Sequence, residues 1–523
     1  MHDGLDIKSP RCVSDRETRF AFSVAIIFLL YAGFSTFHHE MWRDEMGPWL
    51  IARDSRSLFD IFHNIRYDGH PSLWYLLIWP LTVFTINPES IQWLNLGVAA
   101  SAVFLIARNA PVSRWVRTAV ALGYYPIYEY GSIARNYSLG LLALVAFCTL
   151  FPYRRERPLL LGVLLLVAGN SSMLACILAI AALLMLTIET VIFRPQPTKI
   201  KQSWCGIGIA AVSIAFAIWQ MIPPHDSGYA MGWHFSYDPV KLVKVLKNMT
   251  AAYLPLPNAG PGFWETEFLA AFSLYRNFSW VGAPLLLIIV SLALLRRPLA
   301  LVYYLCGSLG LLAFFYVKHV GYLRHHGFLF VCCGTALWLA RTMQPVTLAG
   351  LLDVAARRSE RAVALLFPVI LAVHLAGALI AVAGEYKYTF SAAKATADMI
   401  RERGLDKLPL IADLDVTGMP VVGYLNKRSA FYPCGDRYGS YVVWDTARMQ
   451  HSIVWGEPLQ MAAKTGSPAV VLVDDFVMKK FPPPAELQPK LQLIGCRNAE
   501  IATDESYCAY LFDPDHTIEA LRQ

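Results

Sequence analysis

The chain has 523 residues, of which 56% are hydrophobic and only 16% charged. A soluble globular protein of this length carries about a quarter charged residues, so a wholly soluble enzyme is excluded. The net charge of +7 sits in short clusters between apolar runs, which makes it a marker of membrane topology rather than of nucleic-acid binding.

In chain order, Met1 to Arg19 is polar and carries Lys8, Arg11, Arg16 and Arg19. The run Phe20 to Phe37 is long and apolar, with no small-residue cleavage site after it, so a retained first span is expected rather than a signal peptide. Further spans are expected at about 91–107, 114–129, 138–151, 158–169, 172–193, 204–222, 279–295, 299–317, 327–343 and 362–383. The fold class expected is an all-α polytopic membrane bundle of about 11 transmembrane helices with juxtamembrane helices, followed by a small C-terminal α/β domain.

The polar segments alternate in basic content. Segments 1–19, 108–117, 153–157, 194–202, 296–298 and 341–361 are rich in Lys and Arg and are expected on the cytoplasmic side. Segments 38–90, 130–137, 223–278, 318–326 and everything after 384 are expected to face outward. The apolar stretch "PSLWYLLIWPLTVFTI", 71–86, would invert every later loop if it crossed. With Pro80 inside it and no charged flank, it is expected to lie against the bundle as a juxtamembrane or re-entrant helix.

Two modules are expected, a membrane module over 1–384 and an outer, periplasmic α/β domain over 385–523. In the tail, "FSAAKATADMIRERG" has the pattern of an amphipathic helix stopped by Gly404, and "LPLIADLDVTGMPVVGYL" and "PAVVLVDDFVM" have the pattern of short buried strands. Cys496 and Cys508 form a plausible disulfide in an oxidising compartment.

Three outward stretches hold polar residues beyond what a loop needs. "HHEMWRDEM" carries Asp44 and Glu45, "YEYGSIARNYSLG" carries Glu129, Arg135 and Tyr137, and "VKHVGYLRHHG" carries Lys318, His319, Arg324, His325 and His326. "YDGHPSLW", with His70, joins them through the first long loop. Carboxylates serve as a general base or as ligands of a divalent cation. Arginines and lysine bind phosphate, Arg through a bidentate fork. Each element alone also has a plain structural reading. An acidic pair at a span boundary is more often a solvated exit, a lone interfacial arginine an anchor, and histidines spaced as these are a solvated loop rather than a metal site. The functional reading gains from all of them falling on one face.

"WRDEMGPWLIARDS", "YDGHPSLWYLL" and "SIARNYSLG" resemble the first outer loops of the GT-C superfamily of membrane glycosyltransferases, in the protein O-mannosyltransferase and aminoarabinose-transferase branch. That branch places an Asp-Glu pair after the first span and a "KPPL"-like element before a juxtamembrane helix. Here His70 stands where lysine is usual, and Asn136 replaces a common proline. The motif match covers roughly the first 150 residues. The resemblance implies a polyprenyl-phosphate-linked sugar donor and a cell-envelope acceptor, with membrane lipids as partners and transfer on the outer face of a bacterial inner membrane. It implies Asp44 as base or metal ligand with Glu45 as its catalytic partner, and Arg135 and Arg324 as phosphate contacts. His70, Tyr137, Lys318, His319 and His325 are further substrate-binding candidates. A divalent cation, Mg or Mn, is compatible with it, because members of the superfamily differ in this. Two other classes stay open. A transporter or flippase would need polar groups at mid-membrane; the expected spans are nearly free of them, and His374, the clearest exception, is explained by packing. A membrane-anchored binding protein would use the outer domain.

Overall fold

The computed structural model describes residues 15–193, 197–228, 232–449, 468–474, 482–485 and 487–513. The basic residues Lys8 and Arg11, and part of the 194–202 loop, lie outside them.

Apolar runs bounded by charge fold as helices because, in a bilayer, the backbone polar groups must be satisfied within the segment. The first is α1 (Asp15–His38). Three short helices follow it: α2 (Arg43–Asp54), α3 (Leu58–Asn64) and α4 (Leu73–Phe84). Then come α5 (Ser90–Asn109), α6 (Arg114–Ala121), a π-helical segment (Tyr125–Ser132), α7 (Tyr137–Leu150) and α8 (Pro158–Ser171). The bundle continues with α9 (Met173–Phe193), α10 (Pro197–Gln220), α11 (Pro239–Tyr253), α12 (Ser273–Leu294), α13 (Pro298–Val317), α14 (Leu323–Arg341) and α15 (Gly350–Lys387).

Among the described residues, seven helices are long and apolar enough to cross a membrane: α1, α5, α9, α10, α12, α13 and α15. The chain is an integral membrane protein. All eleven expected spans fall on helix, but four lack the length or apolarity to cross on those criteria. α7 and α8 have 14 residues each. α14 opens on Arg324, His325 and His326. The span expected at 114–129 breaks into α6 and the π-helical segment, whose wider turn is closed by the Ile133 amide donating to the Tyr128 carbonyl at 3.1 Å. That turn packs Tyr125, Tyr128 and Tyr130 inward, with Tyr124 just before it, all essentially without exposure. Gly327 of α14 lies directly on this tyrosine layer. A Cβ there would come within 2.4 Å of both Tyr125 and Tyr130, so only glycine lets the first turn of α14 approach so closely.

α4, at 12 residues, is about 18 Å long and too short for a hydrocarbon core of about 30 Å. It buries Trp74, Tyr75 and Ile78 and packs on α2, while Val83 and Phe84 stay exposed. The expectation that 71–86 does not cross agrees with this.

After α15 come α16 (Ala393–Glu402), β1 (Leu410–Ala412), α17 (Asp415–Tyr424), β2 (Ala430–Tyr432), β3 (Arg437–Gly439), β4 (Ala469–Asp474), β5 (Leu491–Arg497) and β6 (Tyr507–Phe512). The sheet order is β3-β2-β1-β4-β6-β5, with β1 parallel to β2 and β4 and the other pairs antiparallel. Gly404 follows α16 at a φ of +68°, as its stop signal requires. Cys496 and Cys508 are disulfide-bonded across β5 and β6. One strand expectation is corrected. In "LPLIADLDVTGMPVVGYL" only Leu410–Ala412 is strand, and Asp415–Tyr424 is helix. Val416 and Leu414 are the only partly exposed residues near the start of α17, and nearly every later position is buried. An apolar run buried on all sides has no periodicity to tell strand from helix. The end of "PAVVLVDDFVM" lies outside the described residues.

The sheet region does not stand apart. Met41, Met46, Trp49 and Leu50 share one apolar core with Ile400, Leu410, Val421 and Leu472. The Met41 amide donates to Tyr424 Oη at 2.9 Å, and Arg53 Nη2 donates to the Lys427 carbonyl at 2.8 Å. The first loop is thereby clamped between bundle and sheet.

Candidate active site

A cavity of about 780 Å³ lies where the first loop, the start of α7, the start of α14 and the sheet region meet. Asp44, His70, Arg135, Tyr137, Lys318, His319, Arg324 and His325 all line it. Segments up to 462 residues apart in sequence, from Trp42 to Asp504, therefore converge on one space.

Asp44 sits in the first turn of α2, where a carboxylate is favoured by the helix dipole. Its side chain is 34% exposed, and Arg324 Nη2 donates to its Oδ2 at 3.3 Å. Arg135 Nη1 donates to the Asp44 backbone carbonyl. Burial alone would raise the Asp44 pKa, but Arg135, Arg324 and Arg43 outweigh it and hold the carboxyl below its ordinary value. Asp44 is therefore an ionised acceptor between two guanidinium groups.

Arg324 is itself buried at 5% exposure. Its guanidinium carbon lies 5.1, 5.0 and 4.9 Å from the rings of Trp42, Trp264 and Tyr322. Cation–π contacts contribute about 0.5–2 kcal/mol each, more when desolvated, so this cage holds a charged group in place. Arg324 Nη1 also donates to Glu265.

Glu265 is a cavity carboxylate that sequence reasoning missed. It lies in the loop between α11 and α12 and lines the cavity. Its φ of +60° puts a non-glycine residue in the left-handed region, a conformation kept only where the surroundings impose it. Burial raises its pKa to about 7, with Arg324 opposing and Glu129 and Asp44 adding to the rise. The signal available in sequence was the turn-dense "GPGFWETEF" in a long loop. Such loops carry function, but nothing there marks the glutamate.

The other candidates divide by charge. Gly69, at a φ of +72°, turns the chain so that His70 enters the cavity. Arg135 Nη2 donates to His70 Nε2 at 3.2 Å. Burial, with Arg135 beside it, lowers the His70 pKa, so the ring acts as a neutral acceptor. Tyr137 lies under the Arg135 guanidinium at 5.9 Å and meets the His325 ring edge-on at 5.8 Å. His325 Nδ1 accepts from the Tyr322 amide at 2.9 Å. Lys318 sits over the Trp233 ring at 5.5 Å. Burial and then Arg324 lower the His319 pKa.

Glu45 is corrected. It has no exposure and does not line the cavity. As the third residue of α2 it projects about 100° around the helix from Asp44, into the protein. Its Oε1 accepts from the Ala134 amide at 2.5 Å, and its Oε2 meets His39 Nε2 at 2.7 Å. His39 Nδ1 meets Glu385 Oε1 at 2.6 Å, and Tyr128 Oη donates to Glu385 Oε2 at 2.7 Å. Burial opposes charge on His39, yet the two carboxylates raise its pKa well above the ordinary value. The group is a buried imidazolium between two acids, which anchors α2 and the Arg135 loop. Such a sealed group holds geometry and does not meet the cavity.

The donor set does not fit a cation site made by the protein alone. Among the described residues no three His, Cys, Asp or Glu side chains converge. Asp44 and Glu265 both face Arg324, whose charge occupies the space between them.

Fold and site together define a polytopic membrane protein with an acid–guanidinium cavity at one end of its bundle. No protein-family model and no curated protein matches the chain. Among solved structures it is similar to ArnT from Cupriavidus metallidurans bound to undecaprenyl phosphate, at 11% identity and a TM-score of 0.49, covering 94% of this chain and 98% of that one. The apo state of the same protein aligns at 12% identity and a TM-score of 0.47, covering 96% and 99%.

Proposed function

We propose that the protein is a glycosyltransferase of the GT-C type that moves a sugar from a polyprenyl-phosphate-linked donor to a cell-envelope acceptor on the outer face of the membrane. The observation that carries this is Asp44, an ionised carboxylate facing a large cavity between Arg135 and Arg324. The motifs that resemble the GT-C loops are the segments that line that cavity.

The reaction is a single displacement at the anomeric carbon. Asp44 accepts the proton of the acceptor hydroxyl as its oxygen bonds to that carbon. The bond to the phosphate oxygen breaks, and its electron pair stays on the phosphate. A polyprenyl phosphate leaves as a stable anion, so a strong general acid is unnecessary. Fixed cations at the leaving side stabilise the developing charge, and in this reading Arg135, Arg324 and Lys318 supply it. Configuration at the sugar inverts. No step requires a metal. A cation at Asp44 would need its remaining ligands from the donor.

Two features support an assignment of the ends. The rim near Lys318 carries Trp233, 54% exposed, which suits a lipid-borne donor at the membrane surface. The opposite rim is built by Met419, Tyr441, Trp444 and Asp504 of the sheet region, which suits acceptor binding.

The test is Asp44→Asn in the full-length protein, reconstituted with a polyprenyl-phosphate sugar. Loss of transfer by about 10²–10⁴-fold, the range for removing a general base, in a protein that still inserts and folds, supports the reading. Full transfer in that variant removes Asp44 from the mechanism. Movement of the donor across the bilayer without turnover points to a transporter instead.

A further inference from the structure

A second, partly open cavity of about 620 Å³ lies between α6, α7, α14 and α15 behind the tyrosine layer. It shares no residue with the candidate active site. Its wall is apolar, formed by residues such as Val116, Leu141, Val331, Trp338, Val363 and Phe367. One end is closed by Tyr125, Pro126 and Tyr130. The other end carries Arg117, Arg297, Arg341 and Glu360.

α14 connects the two cavities. It runs from Arg324 at the candidate active site to Arg341 at the basic end, about 25 Å at 1.5 Å per residue. The basic end is therefore near the far end of the bundle, where Arg297 and Arg341 belong to segments with the charge bias of a cytoplasmic boundary.

The charges at that end are not balanced. Arg117 Nη1 donates to Glu17 at 2.9 Å, and Arg297 Nη1 donates to Glu360 at 3.0 Å. Among the described residues, Arg341, which is exposed, bonds only the Pro111 carbonyl, at 3.2 Å. Arg297 Nε is buried and has no partner among the described residues. A buried guanidinium nitrogen left unsatisfied is costly, and an anion would answer it. The volume falls in the range of about 300–1,000 Å³ typical of small-molecule sites. An apolar barrel with a cationic mouth, in a chain surrounded by lipid, matches an amphiphile with an anionic head.

Gly334 of α14 lines this cavity, and a Cβ placed there meets no heavy atom within 4 Å. The space is open at a position where the helix itself would accept a side chain.

We propose that this cavity binds an anionic glycerophospholipid, with an acyl chain along the apolar wall and its phosphate at Arg297 and Arg341. The bound chain backs the tyrosine layer. Tyr130 Oη donates to the Arg324 carbonyl at 2.9 Å, so occupancy stiffens the support of the candidate active site from behind. The site stands whether or not the transferase reading holds.

The experiment uses the delipidated full-length protein in a neutral detergent. Thermal unfolding is followed on adding phosphatidylglycerol, phosphatidylcholine or inorganic phosphate. The expected result is a clear upward shift with phosphatidylglycerol, a smaller one with phosphatidylcholine and none with phosphate. Gly334→Leu, which puts a side chain into the cavity where a Cβ meets no heavy atom within 4 Å, loses the shift while unfolding at or above the wild-type temperature without lipid. Arg341→Gln responds equally to the two lipids. Equal shifts in wild type and Gly334→Leu would mean annular lipid only and overturn the proposal. So would an Arg341→Gln protein that keeps the preference for phosphatidylglycerol, or phosphate reproducing the shift by itself. Should Gly334→Leu fail to fold, the Arg341→Gln comparison alone decides.

Discussion

Asp44 and Glu45 are neighbours in sequence and opposites in structure. One side of α2 faces the cavity, where Asp44 is one-third exposed and shares Arg324 with Glu265. The other side faces the protein interior, where Glu45, His39 and Glu385 form a closed group with no exposure. Both sides pair acids with a cation. The difference lies in access. A charge that a substrate can reach is available for chemistry, whereas one sealed among partners fixes geometry.

Substitution should separate the two sides. The largest expected effect is on the cavity side, where Asp44→Asn lowers transfer by the factor given above in a protein that still folds, with only a modest fall in unfolding temperature from the lost Arg324 pair. On the interior side, Glu385→Ala strips a buried partner from both His39 and Tyr128. Breaking a buried pair in this way costs about 3–5 kcal/mol, so a marked fall in unfolding temperature is expected with any loss of transfer following from it. If Glu385→Ala unfolds like wild type but transfers nothing, the positioning role is wrong.

A third prediction concerns pH and binding. Glu265, with a pKa of about 7, competes for Arg324 only when ionised. The KM for a polyprenyl-phosphate donor should rise as pH increases through about 7. Glu265→Gln should flatten that rise and lower the KM at alkaline pH. A KM profile with the same inflection in the variant would exclude Glu265 as its source.

The smallest effect is on stability against pH. His39 has a raised pKa in the folded protein. Its contribution is complete below the unfolded value of about 6.5 and is lost as pH rises through the higher folded value. Asp44 has a lowered pKa. Its contribution holds above its unfolded value and fades as pH falls through the folded one. Thermal stability of His39→Gln should therefore lose its alkaline decline while keeping the acid limb.

Much of the cavity lining was legible in sequence. Asp44, His70, Arg135, Tyr137 and the Lys318–His325 group each stand at the edge of an apolar run. Charge placed where a span ends is visible without coordinates, because the bilayer sets the length of the run. Glu45 looked equal to Asp44 because sequence spacing does not say which side of a short helix a first-turn residue takes when packing surrounds it. Glu265 was hidden because a loop's destination depends on what it packs against. The cage of Trp42, Trp264 and Tyr322 around Arg324 brings together residues from three separate segments. The helix over Asp415–Tyr424 was read as strand for a related reason, since complete burial erases the periodicity that separates the two.

The sequence by itself determined the membrane class, the place of every long apolar helix, the non-crossing helix at 73–84 and the cysteine pair. These follow from hydropathy and local spacing, which act along the chain. Only the tertiary structure decided which acid faces the cavity, which glutamate joins it, and that the sheet region shares a core with the first loop. Those outcomes depend on contacts between residues hundreds of positions apart, and on how burial and neighbouring charge act together on each group.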